Sequence, residues 1–144
     1  MRKRLLPVLS LLFILTSCEN NPSQKPEITG TWKMIYNEVK EKDAVQIKDL
    51  SKTDFIKIIN NSHFSFINQP KDSTGSFYAG AGTYSFDGEN YIETLSYIEY
   101  KPIRNHQFRF KVKIKGDTLI QFGREKIEAA NMDREIVEKY IRIK

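Results

Sequence analysis

The chain has 144 residues, one cysteine, two histidines and a formal charge of +5, which is enough for one domain with a real core and too little for two. A single cysteine excludes a disulfide framework and a cysteine-based zinc site. Three of the cations are Arg2, Lys3 and Arg4, so without them the charge falls from +5 to +2, which gives little electrostatic case for nucleic acid.

The first element is a processing signal. Met1-Arg2-Lys3-Arg4 is followed by an apolar run from Leu5 to Leu15 that contains Pro7 and ends at Leu15-Thr16-Ser17-Cys18. A basic start, a short apolar core and small residues before a cleavage point form a secretory signal peptide over residues 1–17. The run is shorter than the roughly 20 apolar residues a membrane-crossing helix needs. The cysteine directly after the small residues resembles the lipobox of bacterial lipoproteins, which implies lipidation of Cys18 and a membrane anchor through it. Residues 18–27, with two prolines and no apolar side chain after the cysteine, read as a tether. The folded domain is expected over 28–144. Glu19-Asn20-Asn21 lacks a strongly acidic cluster, so the expected location is the cell envelope, on the periplasmic side of the outer membrane.

From there the dominant pattern is alternation of β-branched and aromatic residues with polar ones. Strands are expected at Trp32–Val39, Phe55–Ile59, His63–Ile67, Gly82–Phe86, Asn90–Tyr100, Gln107–Ile114 and Thr118–Phe122. Asp87-Gly88 and Gly116-Asp117 mark hairpin turns. Phe108, Phe110, Val112 and Ile114 alternate with Gln107, Arg109, Lys111 and Lys113, giving one apolar and one basic face. That basic face reads as the solvated outside of a barrel strand. Asp43–Thr53 has no alternation and fits a loop or a short helix. Arg124–Lys144 fits either period, so Arg124–Asp133 stays open as to helix. A closed barrel still needs a last strand, which places a loop or one helical turn over Glu125–Asp133 and a strand over Glu135–Ile143. The expected fold is all-β: a single antiparallel up-and-down barrel with at most one short helix.

Gly30-Thr31-Trp32 before the first strand is similar to the Gly-x-Trp start of lipocalin-type barrels, and Arg142 stands where their final strand carries an arginine. Phe55-Ile56-Lys57-Ile58 with His63-Phe64, Gly80-Ala81-Gly82-Thr83-Tyr84, Gly88-Glu89-Asn90-Tyr91-Ile92-Glu93 and Glu138-Lys139-Tyr140-Ile141-Arg142 follow in order. Over residues 29–143 the chain resembles the lipocalin-like domains of bacterial lipoproteins, departing at Tyr140, where tryptophan is common. The resemblance implies a small calycin-like barrel with a central cavity, closed at one end by Arg142 stacking on Trp32. It brings no biochemical activity with it.

The site candidates are few. His63 and His106 are the only imidazoles, and neither sits in a metal-ligand spacing, so no metal and no cofactor is expected. Tyr91, Glu93, Leu95, Tyr97 and Glu99 share one face of a strand. If that face points inward, Glu93 is a buried carboxylate suited to hold a ligand hydroxyl or to act as an acid. Its structural alternative is a hydrogen-bond network with Tyr84, Lys57 or Arg142 that fixes the interior. Tyr84, Tyr91, Tyr97, Tyr140, Phe64 and Phe66 are candidate cavity walls, or simply core in a barrel filled by its own side chains. The expectation is a partly filled interior with a modest cavity.

The sequence therefore points to a lipid-anchored envelope protein binding a small, largely apolar ligand through Tyr84, Glu93, Tyr97, His63 and Tyr140, as a monomer or weak dimer and without catalysis. A filled barrel that docks a protein through its outer face or loops, Asn68–Gly80 above all, is the first alternative. An enzyme using Glu93 is the second.

Overall fold

The computed structural model describes residues 27–144. Residues 1–26 lie outside the described residues, and with them the expected signal peptide, the lipidation of Cys18 and all of the tether but its last residue. The described residues form nine antiparallel strands in chain order: β1 (Gly30–Glu41), β2 (Ala44–Ile47), β3 (Thr53–Ile59), β4 (His63–Pro70), β5 (Tyr78–Phe86), β6 (Asn90–Ile98), β7 (His106–Lys115), β8 (Thr118–Ile127) and β9 (Met132–Ile143). β1 pairs with β3, each of β3 to β8 pairs with its successor, and β9 returns to pair with β1. The result is a closed up-and-down barrel of eight strands, the fold class the alternation predicts, with β2 added at one edge.

Long β1 makes the two ends of the barrel different. Its first half pairs with β3, from Gly30↔Ile59 to Lys33↔Ile56, and its second half pairs with β2, from Glu38↔Ile47 to Glu41↔Ala44. Along its other edge β9 follows nearly its full length, with a bulge between Met34 and Tyr36. The β1–β2 hairpin therefore rises beside one end of the barrel while β3 diverges from it. All four β2 residues are exposed. With neither face buried, no alternation was selected, which is why Asp43–Thr53 carries no strand signal. The expected short helix there reduces to a single 3-10 turn, Leu50–Lys52, capped by the Asp49 carboxylate.

The last segment is a strand, as the need to close the ring requires. It starts earlier than expected, at Met132, because β8 runs on to Ile127. Arg124↔Glu135, Glu125↔Arg134 and Lys126↔Asp133 extend the ladder with oppositely charged partners, which supports cross-strand pairing. The intervening turn is only Glu128–Ala130, followed by Asn131 in the left-handed region. Helical structure among the described residues is limited to three such 3-10 turns.

Strand β5 begins at Tyr78, four residues before the alternation predicts. Gly80 and Gly82 hide it, since they present no side chain to either face. Gly82 is also a steric requirement: a Cβ there would collide with the Thr94 carbonyl. The register slips beside it, so that Gly82 faces Leu95 while Ala81 faces Tyr97.

Inward residues of β7 (Phe108, Phe110, Val112) are buried and the basic ones alternate outside. The core is densest at the end where β1 begins. Trp32, Phe64, Tyr91, Val112 and Leu119 are all fully buried there, each contributing about 1.5–3 kcal/mol through burial alone. The Arg142 guanidinium lies 4.1 Å over the Trp32 ring, the indole nitrogen donates to Ile28 O at 2.9 Å, and Arg142 reaches back to Thr29 O and Glu27 O. Gly30, at φ 140°, has no room for a Cβ because the guanidinium occupies it.

Candidate functional site

At the other end the side chains do not fill the interior. A cavity of about 1320 Å³ opens between the β1–β2 hairpin, the β4–β5 loop and the β6–β7 loop. It is larger than the modest space expected from sequence, and it exceeds the roughly 300–1,000 Å³ usual for small-molecule sites. Exposed Ile47, Phe77, Tyr78 and Tyr100 stand at its mouth.

Two walls differ in chemistry. One is aromatic: Phe55 stacks on Phe66 with ring centroids 5.7 Å apart, and Tyr78 meets Phe66 edge-on at 6.3 Å. Lys48 at the rim lies over the Tyr78 ring and reaches Asn68 Oδ1 at 3.2 Å. The other wall is polar and comes from inward positions of β1, β3, β6, β8 and β9. Lys57 is ion-paired with Glu93, and their side chains are 4% and 9% exposed. The Lys57 ammonium also donates to Gln121 Oε1 at 2.8 Å and sits 5.1 Å above the Tyr91 ring. Buried cations persist only with such partners, because an isolated charge in this setting costs several kcal/mol.

Glu138 is the third ionisable group on the polar wall. Register sets it between Asn37 of β1 and Gln121 of β8. The Tyr140 hydroxyl donates to its Oε2 at 2.6 Å and Asn37 Nδ2 to its Oε1 at 3.2 Å. Burial raises its pKa above the ordinary 4.5, and the nearby Lys57 charge only partly offsets this. Burial likewise pushes the Tyr91 and Tyr140 phenols up, with Glu93 and Glu138 respectively adding to it. Nearer the mouth, Arg134 Nε donates to Glu125 Oε2 at 2.5 Å.

The sequence candidates separate into two groups. Glu93, Tyr140 and Phe66 line the cavity. Tyr91 and Phe64 are inward but belong to the packed end. Tyr84, expected in the cavity, packs there too, 5.3 Å from Tyr91, with its hydroxyl donated to Asn60 O at 2.6 Å. Tyr97, expected beside Glu93, is 69% exposed, since the slip at Gly82 turns the strand over after Leu95 and sends it outward. His63, also expected inside, is exposed at the packed end with Nδ1 2.8 Å from Ser62 Oγ. His106 begins β7 at the mouth end, so the two imidazoles lie at opposite ends of the barrel. Among the described residues no His, Cys, Asp or Glu cluster has the makings of a metal site.

The sequence reading missed Gln121, Glu138 and the Glu125–Arg134 pair. Their signal was present in part: Glu138 shares a strand face with Tyr140 and Arg142, both of which were singled out. Gln121 follows buried Leu119 at the next inward position of β8, a polar residue where the alternation asks for an apolar one.

A family model described as a domain of unknown function, DUF4488, matches residues 27–144. The chain belongs to that family. No curated protein and no solved structure matches it. The DUF4488 match spans both the packed end and the open end of the barrel.

Proposed function

We propose that this chain is a lipid-anchored envelope protein whose lipocalin-like barrel binds a small, largely apolar molecule. The observation that carries the reading is the open cavity of about 1320 Å³ with an aromatic wall facing a polar one. A barrel this size is commonly filled by its own side chains, and here the filling stops at mid-height. The stacked Phe55 and Phe66 rings offer an apolar ligand a flat, rigid surface. Glu93 serves this role as a partner of Lys57 that shapes the floor, rather than as a free acid.

The lipid anchor is the second part of the proposal and rests on Leu15-Thr16-Ser17-Cys18. The chain enters the domain at the packed end, where Ile28 and Thr29 hold Trp32 and Arg142. An anchor upstream of Ile28 leaves the mouth at the opposite end from the bilayer, accessible to ligand.

The test is native mass spectrometry of the full chain extracted from its own envelope. The expected result is a mass carrying the Cys18 lipid plus a stoichiometric adduct that weakens in Phe66→Ala, and loss of membrane association in Cys18→Ser. A clean apo mass that persists after incubation with envelope lipid extract overturns the binding reading. A Cys18→Ser protein still held in the membrane fraction overturns the anchor.

A further inference from the structure

The charges of the polar wall do not balance. Lys57 and Glu93 neutralise each other, and so do Arg134 and Glu125. Glu138 is left over: among the described residues it forms no ion pair, and its two partners, Tyr140 and Asn37, are neutral donors. A carboxylate has about four lone-pair sites, so two remain available. Lys57 has three donors; two go to Glu93 and Gln121. The ammonium lies among the Phe64, Tyr91 and Tyr140 rings and its charge is already matched by Glu93, so it is poorly placed to greet an incoming anion. Phe55 lies 6.4 Å from the Tyr140 ring, which links the aromatic wall to the tyrosine that donates to Glu138.

Building on the cavity reading above, we infer that the ligand is an amphipathic amine, its protonated amino group seated on Glu138 and its apolar body laid along Phe55, Phe66 and Phe108. A primary ammonium matches this corner better than a quaternary one, because it brings N–H donors to the open Glu138 lone pairs and to the Asn37 side-chain oxygen. An acidic ligand would instead meet two carboxylates, Glu93 and Glu138, with the only deep cation already engaged. Desolvating a carboxylate that has no counter-charge is costly, and desolvation raises the pKa of half-buried Glu138. An arriving cation relieves that cost, which makes the head group a source of affinity as well as of orientation.

The experiment compares three probes of one chain length, dodecylamine, dodecanol and dodecanoic acid, by titration calorimetry on the full chain at pH 7. The expected order is amine tightest by about tenfold or more, the size of one charged hydrogen bond, and the acid weakest. In Glu138→Gln the amine loses about tenfold while the alcohol is unchanged. The ranking on the unaltered protein stands without any variant. Binding with the acid preferred, or with all three equal, overturns the inference and leaves the cavity reading intact. Failure of all three to bind overturns both.

Discussion

The two ends of this barrel are made from the same strands by opposite rules. At the packed end every inward position is apolar or aromatic, and the one large cation, Arg142, lies outside the plug as a lid on Trp32. Toward the open end the inward positions become Lys57, Glu93, Gln121 and Glu138, and side chains no longer meet across the axis. The first arrangement secures the fold, and the second gives up packing for a space lined with fixed polar groups. Buried polar networks of this kind stabilise less than an apolar core of equal volume, so their position marks where the fold leaves room for something else.

The sharpest way to break the contrast is Trp32→Ala. Truncating a fully buried aromatic costs about 3–5 kcal/mol, and loss of the Arg142 stacking adds to it. Chemical denaturation should register a large fall in stability, with probe affinity of the folded fraction nearly unchanged. If instead the folded variant lost probe binding along with stability, the two ends would not be separable.

This end was also the more legible from sequence. Trp32 and Arg142 announce themselves because a plug needs bulky residues at fixed register, and the hairpin alternation orders the strands between them. The open end was harder to read for physical reasons. Its glycines erase the alternation of β5, its exposed β2 has no buried face to pattern, and the slip at Gly82 reverses the parity of β6. Glu93 came through because it precedes that slip, whereas Tyr97 follows it and points away. A single misplaced residue in a bulge is enough to exchange inside for outside.

Lys57→Met tests the open end with a somewhat smaller effect. Removing the cation leaves the Glu93 carboxylate buried and unpaired, a change that typically costs about 3–5 kcal/mol. The expected value is at the low end of that range, because a cavity open to solvent lets water reach the abandoned charge. The double variant Lys57→Met with Glu93→Leu should recover most of the loss, since both partners are then apolar. No recovery in the double variant, measured by the same denaturation, would mean that the polar wall holds the barrel together rather than merely lining it.

The smallest effect is the most specific, because it isolates Glu138 by its titration. Burial raises the pKa of this carboxyl in the folded chain above the ordinary 4.5 it regains on unfolding. The folded state therefore holds the proton more tightly, and its advantage is complete below pH 4.5 and lost as pH rises through the folded value. The groups facing Glu138 are Tyr140 on its own strand, Asn37 on β1, Lys57 on β3, Glu93 on β6, and Gln121 and Glu125 on β8. Asp49, Asp54, Asp72 and Asp133 have lowered values, so their contribution disappears only as pH falls below about 3.8, outside this window. Glu138→Gln removes the titration and keeps the shape. Its thermal midpoint relative to the unaltered protein should rise between pH 4.5 and pH 8, and dodecylamine should erase that rise by supplying the missing cation. A midpoint difference that stays constant with pH would mean that Glu138 is solvated well enough to need no partner, and the amine would then have no particular reason to sit there.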